Sequence, residues 1–301
     1  MKPLSFVIIT YNRPEDALEL AENISQLKDL DEFVEEVIIV NNRSSVSYQP
    51  LEDFIKSHPH IPFRYFVTEE NLGVSRGRNY AIRQSRAPVL VFLDDDALIQ
   101  NNGALLPITM LFDYELAIGI AAFKVYYSSN GEMQKNAFPH KQFDQRKDWP
   151  QFDTYYFSGC AHAIRRTVFE KVGYYPENFF YGMEEYDLSF RVLDAGYTIR
   201  YTDKVVIRHK ESPTGRLTKR EKQKGMWLNK TSVAWKYLPL RYFISTAFIW
   251  SLWYLLKSKG DIGGYFGGWA SIFSIPRTEK RRPVGAACRA YLKKVKARLA
   301  Y

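Results

Sequence analysis

Over the first two-thirds of the chain, mostly apolar residues fall in short unbroken runs at 4–10, 37–40, 63–67 and 88–93, with helix-like stretches at about 14–27 and 73–86. A strand covered on both faces reads as a continuous apolar run, whereas a one-sided strand alternates. The pattern therefore predicts an α/β fold, a mostly parallel sheet flanked by helices. Extended segments return at 155–164 and 197–209, separated by an amphipathic helix at 184–195 that Gly196 closes. Between 126 and 153 the periodicity weakens. That stretch reads either as a mobile loop covering a substrate or as an irregular surface excursion.

From residue 217 the character changes to helical, basic and aromatic. Residues 242–256 carry no charge and lie between Arg241 and Lys257. A spanning helix needs roughly 20 apolar residues, so this stretch is short, and Trp250, Trp253 and Tyr254 suit an interface. A second aromatic, glycine-rich stretch at 262–275 precedes Arg277, Lys280, Arg281 and Arg282. The expected division is a body of residues 1–216 and a helical extension of 217–301. The extension either attaches to an anionic membrane surface or packs its rings on the body.

Charge sharpens this division. Residues 1–203 hold 20 Lys and Arg against 29 Asp and Glu, while residues 204–301 hold 22 against 4, giving the 301-residue chain a net charge of +9. No nucleic-acid recognition motif accompanies the basic region, so a nucleic-acid partner is not expected. Two cysteines, 160 and 288, have no metal-site spacing, and the first residues lack an apolar signal core. A reducing, cytoplasmic setting is the expectation, peripheral at the inner face of the cell membrane.

In open α/β sheets ligands bind beyond the carboxyl ends of strands. Three polar clusters follow the apolar runs there: Thr10-Tyr11-Asn12-Arg13, Asn41-Asn42-Arg43-Ser44-Ser45 and Asp94-Asp95-Asp96. Three adjacent carboxylates repel one another unless a cation sits among them, and Mg2+ or Mn2+ commonly bridges such groups to phosphates. Glu184, Glu185 and Asp187 at a helix start exceed what the helix dipole asks for, and one of them could act as a general base. His209 ends an extended run and suits a Mn2+-type site, although a lone histidine is often structural. The turn at 71–79, with two glycines and Arg76 and Arg78, could approach and clamp phosphates.

These elements, in this order, resemble the family 2 glycosyltransferases of the GT-A (Rossmann-like) fold, rhamnosyltransferase-like branch. The resemblance spans about residues 4–216 and rests on residues 7–13, 71–79, 93–96, Ser158-Gly159-Cys160-Ala161, 180–188 and His209. It implies an inverting, metal-dependent transfer from a nucleotide-diphosphate sugar donor of UDP or dTDP type to an acceptor hydroxyl. A glycan or lipid-linked glycan is the implied acceptor. Thr10, Asn12, Arg13 and Asn41 would line the nucleoside pocket, with Arg78, Asp94 and Asp95 near the donor. Asp96 and His209 would hold Mn2+ or Mg2+, and Glu185 would be the base, with Glu184 and Asp187 as alternatives. Asn41 stands where relatives hold an Asp, and Glu185 is one methylene longer than the usual Asp. Two other readings compete: a sugar nucleotidyltransferase, whose Gly- and Lys-rich loop the N-terminus lacks, and a non-catalytic membrane-associated nucleotide- or glycan-binding module.

Overall fold

The computed structural model describes residues 1–212, 214 and 217–299, so the division after residue 216 and the last two residues of the expected extension lie outside the described residues. The chain opens with β1 (Leu4–Thr10), α1 (Pro14–Ser25), α2 (Leu30–Phe33), β2 (Val34–Asn41), α3 (Gln49–Ser57) and β3 (Phe63–Val67). It continues with α4 (Gly73–Gln84), β4 (Val89–Asp94), β5 (Ala97–Ile99), α5 (Leu105–Tyr114), β6 (Ile118–Tyr127), α6 (Phe143–Arg146) and β7 (Gln151–Thr154). The last elements are β8 (Ala161–Arg165), α7 (Arg166–Val172), α8 (Glu184–Asp194), β9 (Thr198–His209), α9 (Lys219–Tyr237), α10 (Leu240–Lys257), α11 (Ile262–Thr278) and α12 (Ala286–Lys294).

One sheet runs in the order β3-β2-β1-β4-β8-β6-β9-β5, with β7 also paired to β9. Strands β1 to β4 are mutually parallel. Strand β8 runs antiparallel to both β4 and β6, β6 is parallel to β9, and β5 and β7 are antiparallel to β9. The parallel character read from the sequence thus belongs to the first half, and the second half is mixed. The unbroken apolar runs have a direct cause. On β1, Leu4, Phe6 and Ile8 join the core beneath α1, α3 and α5, whereas Val7 joins the core on the opposite face. On β2, Val37 and Ile39 face one way and Ile38 and Val40 the other. Both faces are covered, so consecutive positions such as Phe6 to Ile9 and Val37 to Val40 are apolar without alternation.

The aperiodic stretch 126–153 is packed down as a surface excursion. Phe138 and Phe152 are buried against Tyr201, and the His140 imidazole bonds the Val295 carbonyl oxygen at 2.9 Å. Among the described residues no helix is long and apolar enough to cross a membrane. In the C-terminal extension Trp227 is fully buried, donates to the Ala247 carbonyl at 3.0 Å and stacks on Tyr254 and Tyr265. Gly268 makes this possible, since a Cβ there would come within 2.1 Å of the Trp227 ring. Tyr254, expected at an interface, is instead wholly buried, and Trp250 packs against the same cluster. The large apolar residues that α10 turns outward are Leu240, Ile244, Phe248, Ile249, Leu252 and Leu256. Val233, Ala234 and Tyr237 of α9, with Cys288 and Leu292 of α12, belong to the core on one face of the main sheet. The two expected regions therefore share one apolar core.

Candidate active site

Strand β4 ends in Asp94, and the turn Asp95-Asp96 leads into β5. Strand β5 pairs antiparallel with the end of β9, setting Ala97 opposite His209. That register brings His209 to the acidic triplet: His209 Nε2 lies 3.2 Å from Asp96 Oδ1. One ligand atom from each of Asp94, Asp96 and His209 lies within 4.8 Å of the others. His209 Nδ1 pairs with Gln134 Oε1 at 2.9 Å, which orients the ring so that Nε2 faces the carboxylates. Burial alone would lower the His209 pKa, but its hydrogen bond to Asp96, with Cys160 adding, raises it to about 11. Burial would raise Asp96, yet His209 and Arg13 hold it down at about 2. Two carboxylates and one imidazole form a donor set suited to Mn2+, and the two oxygens alone suit Mg2+.

Asp95 faces the other way, toward Arg13. Arg13 Nη1 is 2.7 Å from Asp95 Oδ1 and 3.3 Å from Asp96 Oδ2. Its Nε and Nη2 donate to the carbonyls of Thr214 and Ser212, at 2.7 and 3.3 Å, so the guanidinium also holds the segment after β9. Asp95 is pushed up to about 7 because burial, reinforced by Asp96, outweighs the pull of Arg13.

Arg78, on α4, is the hub between the triplet and the glutamates. It is 4% exposed. Its Nη2 meets Asp94 Oδ1 at 3.2 Å and the Gly159 carbonyl at 2.8 Å. Its Nη1 meets Glu184 Oε1 at 3.2 Å and Glu185 Oε1 at 3.4 Å. Burial first, then Glu185, raises the Glu184 pKa well above the usual carboxylate range, against Arg78. Glu185 is the more accessible of the two, its side chain 15% exposed against 3% for Glu184. Gly159 leaves it room: a Cβ at 159 would lie 2.0 Å from Glu185 Oε1. Asp187 belongs to a different network. Its Oδ1 accepts from Arg191 Nε at 2.9 Å, and its Oδ2 from Lys236 Nζ and Tyr237 OH.

At the opposite side of the triplet, the nucleoside-pocket candidates are tied together by a tyrosine that sequence reasoning missed. The Tyr48 hydroxyl shares a hydrogen bond with Thr10 Oγ1 at 2.7 Å and accepts from the Arg13 backbone N–H at 2.9 Å. Asn12 has a left-handed backbone, φ 54°, and its Oδ1 accepts from Ser45 N at 2.7 Å. Asn41 Nδ2 donates to the Tyr65 hydroxyl at 2.8 Å, and its Oδ1 accepts from Ser44 N at 2.9 Å. Gln134 was missed as well, lying in the aperiodic stretch where no pattern marked it. An aromatic after the polar 41–45 cluster was the available signal for Tyr48.

A parallel β-α half-sheet, an acidic turn after β4 and a short antiparallel strand, β5, that pairs with the histidine-bearing end of β9 make up the GT-A fold of glycosyltransferases. The glycosyl transferase family 2 model matches residues 5–173, more than half of the chain, and the protein belongs to that family. Among curated relatives, an uncharacterized protein of Haemophilus influenzae is 29% identical over 58% of this chain and 92% of its own length. The uncharacterized glycosyltransferase YfnE of Bacillus subtilis is 25% identical over 70% of this chain and 65% of its own length. The O-antigen chain rhamnosyltransferase RfbN of Salmonella typhimurium is 22% identical over 71% and 68%. Among solved structures, GalNAc-T7 with UDP, GalNAc and Mn2+ superposes with TM-score 0.65 at 15% identity, covering 81% of this chain and 50% of its own. The mannosyltransferase PcManGT of Pyrobaculum calidifontis, with GDP-Man and Mn2+, gives 0.62 at 16% identity over 98% and 79%. TarS of S. aureus with UDP-GlcNAc gives 0.60 at 16% identity over 96% and 83%. At these identities the structural likeness establishes the fold, and this chain spans about half of the GalNAc-T7 chain.

Proposed function

We propose that this family 2 protein transfers a sugar, with inversion, from a UDP- or dTDP-type nucleotide-diphosphate donor to a hydroxyl of a glycan or lipid-linked glycan. The observation that carries the reading is Arg78, which joins Asp94 of the acidic triplet to Glu184 and Glu185 across 3.2–3.4 Å. Asp94, Asp96 and His209 would hold Mn2+ or Mg2+, whose contribution when bound is positive charge against the leaving diphosphate.

The protein's own groups divide the remaining work. Glu185, the more accessible glutamate, takes the proton from the acceptor hydroxyl as that oxygen attacks the anomeric carbon and the bond from that carbon to the diphosphate oxygen breaks. A single displacement inverts the anomeric centre. Glu184, buried beside it, shares the Arg78 Nη1 cation with Glu185, at 3.2 and 3.4 Å. Arg78 fixes Glu185 and is itself fixed by the Gly159 carbonyl. Asp187, committed to Lys236, Tyr237 and Arg191, is the least favoured of the three candidate bases. Thr10, Asn12, Arg13 and Asn41 border the nucleoside side.

Relatives named as O-antigen chain rhamnosyltransferases support a surface-polysaccharide acceptor. The outward face of α10 supports attachment at the cytoplasmic membrane surface. Ile244, Phe248, Leu252 and Leu256 lie four residues apart on it and are 44–80% exposed, with Arg241 and Lys257 at its ends. Exposed apolar side chains flanked by cations suit an anionic membrane surface. The test of the chemistry is Glu185→Gln in the full-length chain, with UDP- and dTDP-sugar donors. Transfer should fall by about a hundredfold or more while UDP·Mn2+ affinity is kept. Undiminished transfer would remove Glu185 from the role.

A further inference from the structure

The first helix of the C-terminal extension grips the glutamate-bearing turn from two places. Asn229 of α9 donates through Nδ2 to the carbonyls of Tyr181 and Gly182, at 3.2 and 2.9 Å, in the two residues just before Met183 and the start of α8. Two helical turns further along α9, Lys236 Nζ and Tyr237 OH converge on Asp187 Oδ2, the hydroxyl at 3.0 Å. Asp187 is 1% exposed and lies three residues after Glu184, one turn along the same face. Fixing its carboxylate therefore fixes the rotation of the first turn of α8 about its own axis.

This segment needs holding. Gly182 and Met183 are consecutive left-handed residues, φ 84° and 71°, and such a backbone is uncommon for methionine. The N-cap residue of α8, Met183, supplies no side-chain hydrogen bond. On its other side the loop is tied to α4, since Val74 N donates to the Phe180 carbonyl at 2.8 Å one turn ahead of Arg78. Gly73 permits that approach, because a Cβ there would lie 2.6 Å from the Phe180 ring. The glutamates thus depend on α4 from one side and α9 from the other. A dipole preference would favour an acidic first turn without burying it. Asp187 is instead desolvated between two cations and a phenol.

We infer that Asn229, Lys236 and Tyr237 are positioning residues through which α9 sets Glu184 and Glu185 against Arg78, making the C-terminal extension part of the framework of the reacting site. The inference rests on the proposed role of Glu185. It also gives the extension a task separate from membrane attachment, carried by the inward side of α9 rather than the outward side of α10.

The test uses the full-length chain with Asn229→Ala, Tyr237→Phe, Lys236→Met and the conservative Lys236→Arg. Amide hydrogen exchange over residues 181–187 reports placement without any substrate, and UDP·Mn2+ affinity, kcat and acceptor KM report function. The expected result is faster exchange confined to that segment and a kcat lower by about ten- to a hundredfold, the scale of a misplacement near 1 Å. UDP·Mn2+ affinity should stay within about twofold, and Lys236→Arg should recover most of the lost rate. Wild-type exchange or wild-type kcat in both Asn229→Ala and Tyr237→Phe would overturn the inference. So would a loss of kcat matched by an equal loss of nucleotide affinity and of global stability. If the wild type transfers from no donor, the base reading fails by itself, and the clamp is then decided by the exchange measurement.

Discussion

Raising the pH should tighten cation binding at Asp94, Asp96 and His209 by the weight of one displaced proton. His209 is held protonated between Asp96 Oδ1 at 3.2 Å and Gln134 Oε1 at 2.9 Å, with its pKa raised to about 11. An imidazole binds a cation only through a free nitrogen lone pair, so a cation at Nε2 must expel that proton. Below the raised pKa each pH unit makes the expulsion about tenfold easier, or about 1.4 kcal/mol. Between about pH 7.5 and 8.5 the apparent Kd for Mn2+ should therefore fall about tenfold. Asp95, raised to about 7 by burial, adds a second proton only below that window. The cation-free protein responds in the opposite sense. A histidine raised from 6.5 to about 11 contributes stability that is complete below about 6.5 and lost as pH climbs toward about 11. Asp96, lowered from 3.8 to about 2, contributes stability that is complete above about 3.8 and lost as pH falls toward about 2. The pair thus stabilises most between about pH 4 and 6.5, and the Tm measured with chelator should decline with alkalinity while Mn2+ affinity climbs. Electron paramagnetic resonance of free Mn2+ during titration, without nucleotide, measures the affinity in wild type and His209→Gln. The variant should bind more weakly at the higher pH and lose the slope. A wild-type Kd independent of pH, or an equal slope in the variant, would refute the assignment of His209.

Three other outcomes follow from contacts of the same kind. Gly159→Ala should lower transfer at least about tenfold with little change in Tm, because its Cβ would fall 2.0 Å from Glu185 Oε1; an unchanged rate would mean that Glu185 acts from elsewhere. Arg78→Met leaves Asp94, Glu184 and Glu185 without their shared cation and should destabilise the fold by about 3–5 kcal/mol, read from the urea midpoint; wild-type stability would contradict the hub. Phe248→Glu with Leu252→Glu, both at exposed positions, should leave the Tm in place and weaken binding to phosphatidylserine-containing vesicles at least about tenfold. Wild-type binding that is equal on neutral and anionic vesicles would count against the basic extension as the attachment.

Much of the fold was legible because burial on both faces writes itself into β1, β2 and β4 as unbroken apolar runs. The acidic triplet was legible for the same reason, since it ends the run at 88–93 at a strand end. The meeting of Asp96 and His209 was implied by the family resemblance alone and by no periodicity, because it depends on β5, a three-residue strand too short to show a period. The extension illustrates a different limit. Composition registers its rings and aliphatics alike, and only helical phase separates the outward Ile244, Phe248, Leu252 and Leu256 from the inward Ala247, Ser251 and Tyr254. That phase was present in the spacing of four, yet aromatic content drew the eye to the residues that pack inside.

The three carboxylates at the start of α8 show why roles are harder to read than sites. In sequence Glu184, Glu185 and Asp187 are equivalent: one turn, one sign, one helix terminus. What distinguishes them comes from distant chain, because Arg78 reaches the two glutamates across more than a hundred residues while Lys236 and Tyr237 reach Asp187 across about fifty. A local pattern can report that charge is concentrated, since like charges at close spacing are costly wherever they occur. It cannot report which cation arrives at which oxygen, and that pairing decides which carboxylate is immobilised and which remains reachable. Here Asp187 is locked by α9, in an extension for which the sequence allowed either membrane attachment or packing on the body, so a helix outside the expected body separates the carboxylate held by Lys236 and Tyr237 from the two that face Arg78.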